Sequence, residues 1–303
     1  MKPEVKGYAY AFLATVAGST VYIFSKAALN EVSLAQFGIY WFTMALVWNS
    51  LFTLRSAEHR KFPKLSGSTI KVLIIIGLIE LVATGSFYAA ISISENPAIP
   101  SFLRNLEYIF VTLMGVLILG ERFNGLQKAG VVLTFIGALV ISYQRGGTVA
   151  SYLSGSAGLM LVSTLFYGVR TITAKRNIQR VTPTILAINR ALFLLAMAII
   201  LLLIWGQNLQ IPRSALLNII AGSFLGPFLT SIGQYSALKF IPASRAAIIQ
   251  STTALFVVLG VFIYFGRLPL LYQVAGGVLT IIGVTLLLKP DKFQKLVRFE
   301  DHS

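Results

Sequence analysis

Apolar residues dominate this chain in ten successive runs, each long enough to cross a bilayer and each separated from the next by a short polar turn. The runs cover 7–26, 34–54, 69–91, 98–119, 125–143, 155–174, 184–206, 216–239, 243–265 and 271–288. A hydrocarbon core ~30 Å thick needs roughly 20 apolar residues at ~1.5 Å rise per residue. Backbone polar groups in lipid must be satisfied within their own segment, so the runs predict helices. Turn formers separate them, as at Asn30-Glu31, Glu95-Asn96-Pro97 and Arg145-Gly146-Gly147. The composition, 56% hydrophobic with a mean hydropathy of +0.79, excludes a soluble globular protein of this length. The expectation is an all-α integral membrane protein with ten transmembrane helices.

The net charge of +15 does not point to nucleic acid, because of where the basic residues sit. With the N-terminus placed in the cytoplasm, eighteen of the 25 Lys and Arg fall on cytoplasmic loops, tails or helix ends. Lys26, Arg145, Arg213 and Arg267 fall outside, and Arg104, Arg170 and Arg190 lie within spans. That asymmetry follows the positive-inside rule and predicts a multi-pass protein of the inner (plasma) membrane with both termini cytoplasmic. The basic cluster from Lys289 to Arg298 is a candidate contact for anionic lipid headgroups. Six residues precede the first span, so no cleavable signal peptide is expected. Cysteine is absent, and the two histidines, His59 and His302, lie in a loop and a tail. No metal-ligand spacing or nucleophile motif appears, so neither a cofactor nor an enzymatic activity is expected.

The two halves resemble one another. Shifted by 146 residues, Gly120, Gln127, Gly130, Leu133-Thr134 and Gly137 fall on Gly266, Gln273, Gly276, Leu279-Thr280 and Gly283. A shift of 149 pairs Lys26, Val32 and Ile39 with Lys175, Val181 and Ile188, and a shift of 147 pairs Tyr88 with Tyr235. The reading is two five-helix units at 1–148 and 149–290 with a basic cytoplasmic tail at 291–303. Because five is odd, the second unit is inverted relative to the first. Inverted repeats around a central cavity are a transporter architecture, and they supply a basis for alternating access.

Two five-helix units with Gly120-Glu121-Arg122, Gln127, Gly130 and Gly137 closing the first resemble the drug/metabolite transporter superfamily, in its EamA-type branch. The stretch Tyr235-Ser236-Ala237-Leu238-Lys239-Phe240-Ile241-Pro242 is similar to that branch's eighth-to-ninth helix junction. The likeness covers essentially 7–288, and it implies a ten-helix carrier of small metabolites, often outward. The chain departs from the pattern in four places. Gly266-Arg267 replaces a second Gly-Glu, Tyr108 and Ala254 stand where proline is usual, and Trp41 stands where the second helix often has arginine.

Charges inside a membrane are expensive and mark candidate sites. Glu80 lies about 16 Å into span three, near the midplane. It is a candidate proton-coupling carboxylate or partner of a substrate ammonium, or a neutral group bonded to a nearby hydroxyl. Arg104 and Glu107 share a helix face at i, i+3 and are expected to pair, either lining the cavity with Asn105 and Tyr108 or as a structural ion pair. Arg190 is a candidate anion site or a snorkelling side chain, and Arg170, nearer its span end, is expected to snorkel. Pro227 interrupts span eight at the register opposite Glu80. Tyr88 and Tyr235 are cavity candidates, with aromatic packing as the alternative.

The function expected is a secondary transporter of small metabolites, amino acids or related amphipathic solutes, with export the direction the resemblance implies and protons as a candidate coupling ion. The alternative is a channel-like facilitator or a lipid or anionic-metabolite translocator of the same fold. The partners expected are a small-molecule substrate and membrane lipids, with no nucleic acid and a monomer as a sufficient unit.

Overall fold

The structure is a computed structural model that describes residues 3–55, 66–119, 124–143, 155–177, 183–241, 246 and 249–287. Among these residues all regular structure is helical. The first half contributes α1 (Pro3–Leu29), α2 (Leu34–Arg55), α3 (Gly67–Ile93), α4 (Ala98–Leu103), α5 (Leu106–Leu119) and α6 (Gly125–Ser142). The second contributes α7 (Gly155–Asn177), α8 (Pro183–Ile204), α9 (Arg213–Ser223), α10 (Ser231–Phe240), α11 (Thr253–Phe265) and α12 (Leu271–Leu287). A π-helical segment, Phe224–Thr230, joins α9 directly to α10. With α4–α5 and α9–π–α10 taken as broken rods, the ten expected helices are present. The basic tail at 291–303 and the Gly120-Glu121-Arg122 motif lie outside the described residues.

Five stretches, Pro3–Leu29, Leu34–Arg55, Gly67–Ile93, Thr184–Ile204 and Arg213–Gln234, are long and apolar enough to cross a bilayer. Helix α7 is more polar, and the reason is visible in its contacts. Ser156 donates to the Ala90 carbonyl at 3.1 Å and Ser163 to the Ala83 carbonyl at 2.7 Å, so its hydroxyls bind it to α3. The outward faces are the reverse of a soluble protein's: Leu203, Ile204, Ile263 and Leu271 are each more than 70% exposed. Such a belt is stable only against lipid.

The principal contacts come in pairs related by exchange of the halves. Helix α3 packs on α7 as the α9–π–α10 rod packs on α1; α2 packs on α8, and α6 on α12. The repeated glycines make the last of these contacts. A Cβ on Gly130 would lie 2.6 Å from the Gly283 carbonyl oxygen, and one on Gly137 would lie 2.6 Å from that of Gly276. The order of these pairs makes α6 and α12 antiparallel. Their backbones touch because no side chain intervenes.

The repeated glutamines are helix starts. Asn124 accepts from the Gln127 amide at 2.8 Å while Gln127 Oε1 accepts from the Asn124 amide at 3.0 Å, a capping box. In the second half, Gln273 Oε1 accepts from the Leu270 amide at 2.9 Å. Gly266 closes α11 at φ +65°, a left-handed conformation suited to glycine.

The span expected as one helix over 98–119 is broken. Arg104 and Asn105 form a tighter turn, with the Asn105 amide bonded to Phe102 and that of Glu107 to Arg104. The span over 243–265 has a matching break, where Thr252 bonds back to Ile249 and Leu255 to Thr252. Asn105 and Thr252 are 147 residues apart, the Tyr88–Tyr235 shift. The broken helices therefore correspond between the halves.

Gly137→Val should lower thermal stability by about 1–3 kcal/mol, the ordinary cost of overpacking, because its branched side chain meets backbone. Gly125→Ala, with no atom within 4 Å of the new methyl, should be neutral. Thermal unfolding of the detergent-solubilised variants checks both.

Candidate functional site

Helix α3 runs for 27 residues, and Glu80 is its midpoint. Carboxylate Oε1 lies 3.1 Å from an Arg170 nitrogen and Oε2 lies 3.2 Å from Arg190 Nε. The second approach is charge to charge, since its angle leaves Nε without a directed hydrogen bond. Thr84, one turn along α3, donates to Oε2 at 2.6 Å. Glu80 is therefore held by two guanidiniums and a hydroxyl.

A second carboxylate extends the cluster. Glu107 Oε2 lies 3.0 Å from Arg104 Nε, as the i, i+3 spacing predicts. Its Oε1 lies 3.6 Å from Arg170 and accepts from Thr171 at 3.3 Å. Arg170 thus spans both acids. It turns inward, and the expectation that it snorkels is corrected: two carboxylates within reach of one guanidinium outweigh a longer path to the headgroups.

Tyr167 lies between the arginines. Its hydroxyl pairs with Thr84 at 2.9 Å and accepts from Arg190 at 3.4 Å. Its ring lies beneath two cations, with the guanidinium carbon of Arg104 at 4.0 Å and that of Arg170 at 4.7 Å from the centroid. One aromatic ring thereby serves two like charges. The carboxylate side chains are 4% and 11% exposed and the arginines 21% to 28%, so the acids are enclosed while the cations reach the openings.

The cluster crosses the seam between the halves. Glu80, Thr84, Arg104 and Glu107 come from α3 and the α4–α5 rod, while Tyr167, Arg170, Thr171 and Arg190 come from α7 and α8. Of the sequence candidates, Glu80, Arg104, Glu107 and Arg190 meet here, and Tyr108 follows Glu107 directly in the chain, within the electrostatic reach of Glu107 and Arg104. Asn105 points elsewhere, donating to the Thr280 hydroxyl on α12 at 3.0 Å. Tyr88 is packed among Phe37, Trp41, Phe42 and Phe87. The side chain of Tyr235 lies outside the described residues. Sequence reasoning missed Arg170, Thr84 and Thr171 as partners. The available signals were the i, i+4 spacing of Thr84 from Glu80 and the shared face of Tyr167, Arg170 and Thr171.

Pro227 lies within the π segment. It has no amide to donate, and Thr230 offers its hydroxyl to the Leu225 carbonyl at 3.1 Å. A crevice opens between α2, α8 and this segment, lined by Phe42, Ala45, Asn49, Arg190, Ala191 and Pro227 among others. A second runs between α2, α3 and α8 past Phe37, Thr84 and Tyr88. Among the described residues no group of three acids or histidines is placed to hold a metal ion.

An all-helical, lipid-faced bundle of paired halves with a charged seam defines a polytopic membrane protein of transporter architecture. The sequence profile of the EamA-like transporter family matches residues 5–143 and again 155–289, so the chain belongs to that family, a drug/metabolite-type transporter family. A solved crystal structure that is 15% identical shares the fold with a TM-score of 0.67, aligned over 98% of this chain and 99% of its own. No curated protein matches the sequence.

Arg170→Gln should destabilise the protein by about 3–5 kcal/mol, because it strips a partner from two enclosed carboxylates. Adding Glu107→Gln should recover part of that loss, so the double variant is less destabilised than the sum of the single ones. A double-mutant cycle on thermal unfolding reads the coupling; strict additivity would place Arg170 and Glu107 outside one network.

Proposed function

We propose that this protein is a secondary carrier that moves small amphipathic metabolites across the inner membrane by alternating access, in the outward direction when gradients favour it. The observation that carries the reading is the ion cluster at the seam: acids of the first half are bonded to arginines of the second. A carrier that rocks one half against the other must change those contacts, so they provide a two-state element. The antiparallel α6–α12 contact and the matched breaks at Arg104-Asn105 and Thr252 support halves of opposite orientation.

Proton coupling belongs to the same proposal. Glu80 is the carboxylate shared by two arginines of the other half, so adding or removing its charge changes the balance across the seam. The charge asymmetry of the loops supports cytoplasmic termini.

Solute counterflow in proteoliposomes, with pooled labelled amino acids, sugars and organic acids, tests the carrier reading. Saturable accumulation of one label against its own concentration supports it, and a flat result from folded protein rejects it. Glu80→Gln should abolish uptake driven by a pH gradient. Unchanged gradient dependence would remove Glu80 from the coupling role.

A further inference from the structure

The spans contain three arginines, Arg104, Arg170 and Arg190, but only two acids, Glu80 and Glu107. Among the described residues all five meet in one cluster, which holds one more positive than negative charge. Lys26 is not part of it. Its ammonium donates to the Ser92 carbonyl at 2.8 Å, twelve residues and so about 18 Å along α3 from Glu80.

On the carrier reading above, we infer that the cargo is a small amphipathic monoanion, docked by Arg190 in the crevice between α2, α8 and the π segment. Three observations converge. A net charge at membrane depth is costly, and a bound anion neutralises it. Both acids are already engaged, Glu80 by Arg170, Arg190 and Thr84, and Glu107 by Arg104, Arg170 and Thr171. A cargo ammonium would find no carboxylate without a competing cation, so a zwitterion gains nothing from its positive end. Finally, Arg190 is, among the described residues, the one charged side chain lining the crevice, where its neighbours are Phe42, Ala45, Ala191, Pro227 and Asn49. One guanidinium among apolar walls selects an acid with an apolar body.

Arg190 can be removed without stripping Glu80, which keeps Arg170 at 3.1 Å and Thr84 at 2.6 Å. Glu107 can be neutralised away from the crevice, raising the cluster to two positive charges. These two changes separate local docking from charge balance.

The test is counterflow above protein-free liposomes with two size-matched series of different charge: lactate, alanine and malonate, and 3-phenyllactate, phenylalanine and benzylmalonate. The wild-type protein should move a monoanion in preference to its matched zwitterion and dianion. Arg190→Gln should lower monoanion flux by roughly 10- to 100-fold, the loss expected of one charge-assisted contact, while Arg190→Lys retains the preference at a reduced rate. Glu107→Gln should shift the preference toward the dianion. Equal or better flux of alanine or phenylalanine, or an unaltered acid preference in Arg190→Gln, would overturn the inference and leave the carrier reading standing. No flux of any of the six solutes through folded protein would overturn both.

Discussion

A charge in hydrocarbon must find its partner inside the protein, and this requirement organises the bundle. Two unit charges 4 Å apart gain ~1 kcal/mol in water but ~4 kcal/mol at the effective dielectric of a protein's outer regions, and solvent no longer competes when they sit deeper. Contacts such as Arg267 on the Glu95 carbonyl, at an exposed rim, therefore carry little. The pairs around Glu80 and Glu107 carry much more. They fix which faces of α3, α5, α7 and α8 look inward, and they join the two halves around the midpoint of α3.

This constraint also accounts for features that local propensity does not. Helix α7 is too polar to look like a lipid-facing span, because Tyr167, Arg170 and Thr171 serve the cluster and its serines bind α3. The fourth span breaks at Arg104-Asn105. The turn lets Arg104 reach Glu107 and lie over Tyr167, while Asn105 tethers the rod to Thr280 of α12.

The sequence made a good part of this legible. Hydropathy located nine of the ten helical stretches to within a few residues, since span length follows bilayer thickness; the start of the ninth, at 243, lies outside the described residues. The i, i+3 spacing predicted the Arg104–Glu107 pair, and the proline predicted an interruption at 227. Depth counted from a span end, however, gives position along an axis and says nothing of rotation about it. Arg170 was misread for that reason: its depth allowed snorkelling, while its azimuth toward α3 and α5 is set by tertiary packing. Asn105, adjacent to Arg104, points to α12 because the intervening turn is not a regular helix.

The residues that repeat between the halves and the residues that form the cluster are different sets. Gln127 and Gln273 start helices, and Gly130, Gly137, Gly276 and Gly283 let α6 meet α12. These are requirements of architecture, so both halves keep them. The cluster residues have no charged counterparts: at the shift of 147, Glu80 falls on Pro227 and Arg104 on Ser251, and at the shift of 149, Arg190 falls on Trp41. Trp41 is buried, and its ring packs against Gly222 beside the π segment. If the halves exchange conformations during transport, the two end states are alike in backbone but not in chemistry. One closes over ion pairs that need partners, the other over aromatic and proline surfaces that need only exclusion of water. Asymmetry in a handful of side chains can therefore give the two faces of a nearly symmetric frame different affinities for solute, while gradients alone set the direction of net flux.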